Sequence, residues 1–129
     1  MKIRIRGNSL RLRLDMREIE TLAFEGRVEE TCRFGSTPEG RLGCLVKAVK
    51  QDTLFRVAFV NSMITVFVRL ADAKILNKTD KVGISGTQDV GDGQLLSITL
   101  EKDFQCLTTR EGEDDSHAYP NPQQTHPCD

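Results

Sequence analysis

The stretch Met1-Lys2-Ile3-Arg4-Ile5-Arg6-Gly7-Asn8-Ser9-Leu10-Arg11-Leu12-Arg13-Leu14 opens the chain with two alternating runs around a Gly-Asn pair. Alternation at period two marks strands, and Gly-Asn suits the positive φ of a two-residue hairpin turn. That turn fixes a register in which Arg6 faces Ser9, Ile5 faces Leu10, Arg4 faces Arg11, Ile3 faces Leu12 and Lys2 faces Arg13. The apolar residues Ile3, Ile5, Leu10, Leu12 and Leu14 then share one face, and five cations share the other. A slip of one residue would scramble this sorting, so the alternation itself specifies the register.

Outward from the hairpin, Asp15 is placed to cap a helix, with Glu18 at the third position after it. Ile19, Leu22 and Ala23 recur at helical spacing and predict a buried stripe. Gly26 stands where a left-handed C-terminal residue ends such a helix. Arg27–Phe34 and residues 42–49 read as strands around a loop with Gly35, Pro38 and Gly40. The same order recurs 54 residues later: a hairpin around Asn61-Ser62, a helix over Leu70–Asn77, then strands over Lys81–Thr87 and Leu95–Glu101 around Asp89-Val90-Gly91-Asp92-Gly93. Leu10/Ile64, Leu12/Val66, Leu14/Val68, Leu22/Leu76, Val28/Val82 and Leu42/Leu96 fall in step, a match of pattern more than of residue identity. The expected fold is α+β and β-rich. It is a mostly antiparallel barrel or sandwich of two tandem ββαββ units with two short helices.

With 129 residues, 38% hydrophobic and 29% charged, the chain fits one globular domain rather than a disordered or collagen-like one. We place an α+β domain over residues 1–107, with pseudo-repeats at about 1–50 and 55–103. An irregular, acidic, proline-containing tail is expected over 108–129. No apolar run nears the roughly 18 residues of a membrane helix, and the charged, alternating start is no signal peptide. The chain is therefore expected in the cytoplasm, with no membrane partner and its cysteines reduced.

The net charge of −1 conceals a division. Lys2, Arg4, Arg6, Arg11 and Arg13 meet no acid in the first 14 residues, whereas Arg110 is outnumbered by Glu111, Glu113, Asp114, Asp115 and Asp129. Direct opposition of Arg4 to Arg11 and of Lys2 to Arg13 destabilises a strand pair unless anions offset it. The anion could be Glu29 or Glu101 of a neighbouring strand, the acidic tail, or an external ligand. Lys2, Arg4, Arg6, Arg11 and Arg13 are thus the candidate anion-binding residues. Nucleic acid is disfavoured as the ligand, since six Phe, one Tyr and no Trp offer little for base stacking.

The second hairpin turns Arg56, Ala58, Val60, Met63, Thr65 and Phe67 outward and is apolar on both sides. Its cover could be the tail, a helix or a second copy of the chain. A homodimer or other protein partner is the expectation, with Ala58, Val60, Met63 and Phe67 as interface residues. Cys106, His117, His126 and Cys128 form a donor set that zinc accepts tetrahedrally. Their C-x10-H-x8-H-x-C spacing lacks the close pairs of zinc modules, and the alternative is a tail whose polar side chains never meet. No other cofactor is expected. Cys44 and Cys32 read as inward-facing apolar residues.

No nucleophile elbow, phosphate loop, dinucleotide fingerprint or zinc-protease motif occurs. The expected role is non-enzymatic binding or assembly through the basic hairpin face. An enzyme or binder acting on a phosphorylated small molecule is the alternative, beside a zinc-stabilised protein.

Three strings carry a resemblance: the opening 14 residues, Gly26-Arg27-Val28-Glu29-Glu30, and Glu101-Lys102-Asp103-Phe104-Gln105-Cys106-Leu107 followed by Tyr119-Pro120-Asn121-Pro122. Together they resemble small bacterial proteins of an uncharacterised family. Tyr119 stands where those relatives usually have Phe. The resemblance implies a stand-alone bacterial domain and supplies no activity, ligand or catalytic residue.

Overall fold

The first hairpin forms as the alternation dictates. Strand β1 (Lys2–Arg6) pairs antiparallel with β2 (Ser9–Leu14), in the register read from sequence. Gly7 takes the positive φ of the turn. The computed structural model describes residues 1–104 and Tyr119. Asp15 caps α1 (Met16–Glu25): its carboxylate accepts from the Glu18 N–H, while the Glu18 side chain accepts from the Asp15 N–H. Gly26, at φ 83°, closes the helix and leads directly into β3 (Arg27–Arg33). A 3-10 turn at Pro38–Gly40 precedes β4 (Arg41–Val49).

The second run comprises β5 (Phe55–Val60), β6 (Met63–Arg69), α2 (Leu70–Lys78), β7 (Gly83–Gly91) and β8 (Gln94–Lys102). Helix α2 has no glycine at its end and leaves through an extended Thr79. Four residues, 79–82, separate α2 from β7, and Val82 is exposed whereas its expected counterpart Val28 is buried.

The α+β, strand-rich class with two helices is as expected, and the strand arrangement corrects the expected barrel. No closed barrel forms among the described residues. The strands make two four-stranded sheets: sheet A in the order β1-β2-β8-β7 and sheet B in the order β3-β4-β6-β5. In each, the outer pairs are antiparallel hairpins and the central pair is parallel: β2 with β8, and β4 with β6. Each sheet therefore joins one hairpin from the first half of the chain to one from the second. One apolar cluster draws on both sheets and both helices, including Leu12, Leu14, Leu22, Val46, Val66, Val68, Leu76 and Leu100.

Between β5 and β7 a side chain stands in for a backbone ladder. The Gln88 amide accepts from the Val57 N–H at 2.6 Å and donates to the Val57 carbonyl at 3.0 Å. Close approach also requires Gly86, where an added Cβ would lie 3.1 Å from the Phe55 ring.

Two expectations about buried faces fail at the strand ends. Ile3 and Ile5 lie on the core side of β1, yet are 41% and 65% exposed, because β1 is an edge strand. Cys32 also faces inward by alternation but is exposed near the end of the edge strand β3. Cys44, on the inner strand β4, is buried as expected, and desolvation pushes its thiol up to about 11.

Two measurements follow from this packing. Gln88→Leu leaves the half-buried N–H and carbonyl of Val57 without these two bonds and should cost about 1–2 kcal/mol in urea unfolding. Because Cys44 is held as the neutral thiol, its contribution is complete below pH 9 and is lost as pH rises from 9.0 through about 11. The urea midpoint should fall over that window, and less steeply in Cys44→Ala.

Candidate anion-binding face

The outer face of sheet A is a grid whose rows run across all four strands. Strand alternation puts Lys2, Arg4 and Arg6 of β1 outward, with Ser9, Arg11 and Arg13 of β2. Register then aligns Lys2–Arg13–Glu101–Gly83, Arg4–Arg11–Thr99–Ser85, and Arg6–Ser9–Ser97–Thr87. Neighbouring strands lie about 4.8 Å apart and successive rows about 6.8 Å apart.

The first row carries its own counter-charge. Glu101 Oε1 accepts from Arg13 Nε at 2.6 Å and lies 3.9 Å from Arg11 Nε. Lys2 Nζ lies 3.0 Å from Asp103 Oδ2 at the same end. Arg13 is only 5% exposed and is the one buried charged residue among those described. Of the two neighbouring-strand acids considered, Glu101 meets this face. Glu29 instead pairs with Arg27, at 3.0 Å on sheet B.

The second and third rows contain three arginines, five hydroxyl-bearing residues and no carboxylate. Arg4, Arg6, Ser85, Thr87 and Ser97 are exposed, while Ser9, Arg11 and Thr99 are half-buried. Ser85 and Thr99 hydroxyls lie 3.1 Å apart, and the Ser9 hydroxyl donates to the Arg6 carbonyl at 2.6 Å. Thr99 and Ser97 reach the arginines only through the parallel pairing of β2 with β8. The hydroxyl half of the face lies outside the candidates named from sequence. Its signal is the Ser-x-Thr alternation in Ser85-Gly86-Thr87 and again in Ser97-Ile98-Thr99.

The corresponding rows of sheet B have another character. They read Ala58–Thr65–Leu45–Glu29 and Val60–Met63–Gly43–Thr31. The Met63 side chain lies over Gly43, where a Cβ would meet its sulfur at 2.7 Å. Arg56 stacks its guanidinium 3.9 Å from the centre of the Phe67 ring. Val60 is exposed, and Ala58, Met63 and Phe67 are half-buried.

A cavity of about 630 Å³ between β5 and β7 reaches Thr87 of the third row and Arg56 of the second hairpin, and two others lie away from the rows. A cavity of about 640 Å³ at the start of α2 is lined by Lys50, Asp52, Arg69 and Lys74. Arg69 is engaged there with the Asp72 carboxylate at 2.6 Å and the Asp52 carbonyl at 2.7 Å. A cavity of about 320 Å³ between the helices and the end of β8 is mainly apolar, with Leu14, Ile19, Leu76 and Phe104 in its lining. No group of three or more His, Cys, Asp or Glu suited to a metal occurs among the described residues. Cys106, His117, His126 and Cys128 lie outside the described residues, as does the acidic run from Glu111 to Asp115. No helix among the described residues is long and apolar enough to cross a membrane.

A family model matches residues 1–123. The chain belongs to that family, a family of unknown function (DUF7009). The match takes in both hairpins of the basic face and the acidic run, so both are within the family's boundaries. No curated protein and no solved structure matches the chain.

The two kinds of ion pair predict different costs. Glu101→Ala removes a carboxylate from a buried arginine and should cost about 2–4 kcal/mol in chemical denaturation. Glu29→Ala breaks an exposed pair and should cost under about 1 kcal/mol.

Proposed function

We propose that the protein is a non-enzymatic binding domain that takes anionic groups on the outer face of sheet A. The observation that carries this reading is the make-up of its second and third rows, with three guanidinium groups, five hydroxyls and no acid. Phosphate, sulfate and carboxylate oxygens accept from both donor types, and arginine binds such groups in a fork. Arg4, Arg6 and Arg11 share their rows with the five hydroxyl-bearing residues, so the binding role is assigned chiefly to them. Five of the eight residues in these rows are exposed, which favours binding over catalysis, since catalysis is aided by water exclusion.

We read the two halves as tandem ββαββ copies. The 54-residue step between Met16 at the start of α1 and Leu70 at the start of α2 supports this, as does the pairing of one hairpin from each half in both sheets. On this reading the copies diverged on their outer faces. Sheet A became cationic, and sheet B kept an apolar strip with Ala58, Val60, Met63 and Phe67 that suits assembly with a protein partner or a second copy.

Inorganic tripolyphosphate is a suitable probe. It should bind at low ionic strength, raise the unfolding temperature and lose affinity steeply as salt screens the face. Arg4→Gln combined with Arg11→Gln should weaken binding at least tenfold in calorimetric titration. Equal affinity in that double variant would remove the face from the reading.

A further inference from the structure

We infer that β3 is a docking edge for the β3 strand of a second copy of the chain, which extends sheet B across a twofold axis. This edge is separate from the anion-binding face of sheet A and from the outer strip of sheet B. Strand β3 ends the strand order of sheet B, and every residue from Glu29 to Arg33 is exposed. An exposed edge offers a row of N–H and C=O groups to another chain, and natural edges are commonly blunted by proline, lysine or a bulge. Strand β3 contains neither proline nor lysine, and it pairs with β4 without a break in register.

The ladder to β4 fixes which backbone groups point outward. At one end of β3 the Gly26 carbonyl accepts from the Ala48 N–H, and at the other the Phe34 N–H donates to the Gly40 carbonyl. Hydrogen-bonded positions alternate along an antiparallel pair. Val28, Glu30 and Cys32 therefore turn their backbone groups to β4, whereas Arg27, Glu29, Thr31 and Arg33 turn theirs to the free edge. The side chains of these last four share the outer face, since Val28 is buried on the inner one.

Twofold symmetry then selects one register. Two copies of a strand pair antiparallel about an axis that sets one residue against itself. Centred on Glu29 or Glu30, carboxylate meets carboxylate, and the Glu30 register also sets Arg27 against the partner's Arg33. Centres nearer either end overlap three residues of the strand or fewer. Centred on Thr31, Glu29 meets the partner's Arg33 and Arg33 meets the partner's Glu29. All of these residues present backbone groups to the free edge, so each facing pair exchanges two hydrogen bonds. Arg33 gains a carboxylate that no described residue gives it, and Glu29 comes to lie between Arg27, at 3.0 Å, and the partner's Arg33. On the inner side Phe34, 76% exposed in the single chain, comes opposite the partner's Val28. Charge, backbone direction and exposure thus agree on a single pairing.

Analytical ultracentrifugation of the full-length chain tests the pairing. A strand edge buries less than a standard interface, so the mass should rise toward twice the 14.5 kDa of one chain only as concentration approaches about 1 mM. Glu29→Arg and Arg33→Glu should each weaken dimerisation at least tenfold. The two combined restore opposite charges across the axis and should dimerise at least threefold more tightly than either single variant. Thr31→Pro removes a free-edge N–H and leaves the β4 ladder intact, so it should abolish the dimer. If Thr31→Pro fails to fold, the charge swap alone decides. A mass that stays at one chain up to 1 mM would overturn the inference. So would a dimer indifferent to both single swaps, or a combined swap no tighter than its parents. A dimer lost through Ala58→Glu while the β3 swaps have no effect would assign assembly to the outer strip and overturn it equally.

Discussion

The parallel pairing of β2 with β8 is the contact on which the rest of the molecule depends. It sets Ser9–Leu14 against Ser97–Lys102, so that Leu10, Leu12 and Leu14 line up with Ile98, Leu100 and Lys102. The five apolar members are all buried, with Leu12, Leu14 and Leu100 fully so. Burial of such side chains stabilises by about 1.5–3 kcal/mol each. Opposed like charges on strands cost about 0.2–1 kcal/mol per pair. The core side of the hairpin therefore outweighs the strain on its outer side, and Arg4 can face Arg11 without splitting the strands. The same pairing delivers Glu101 to Arg13 and brings Asp103 to Leu14 and Lys2.

Two sheets of like connectivity thus meet solvent with unlike chemistry. Every inward position obeys the same demand for apolar volume, so the halves look alike from inside. Outward positions are free of that demand. On sheet A they hold guanidinium and hydroxyl groups in register. On sheet B the equivalent rows are interrupted by Ala58, Leu45, Val60 and the Met63 side chain over Gly43. A family of unknown function gives no activity to carry over, and the proposed binding role follows from this division of outer surfaces.

Local features were legible in the sequence because local physics determines them. The register of the first hairpin follows from alternation and its two-residue turn, and α1 from Asp15, Glu18 and Gly26. The α+β class follows from the same signals. The partnering of strands does not, since nothing near Leu12 points to Leu100, 88 positions away. For that reason the cationic half of the face could be read, and the hydroxyl half of β7 and β8 could not be joined to it. Exposure at sheet edges was equally hidden. Ile5 and Cys32 have the pattern of core residues, but they lie near the ends of edge strands where no further layer among the described residues covers them.

The strand order also dictates when each sheet can close as the chain is made. Sheet B is assembled from residues 27–69, one continuous stretch. Sheet A needs both ends of the domain, and its central pair is missing until Ser97–Lys102 has been synthesised. Until then the first hairpin stands alone, and an isolated two-stranded hairpin is marginal in water. Contacts so distant along the chain close slowly. The arginine–hydroxyl rows therefore cannot form before Ser97–Lys102 has been made, whereas every strand of sheet B is present by Arg69.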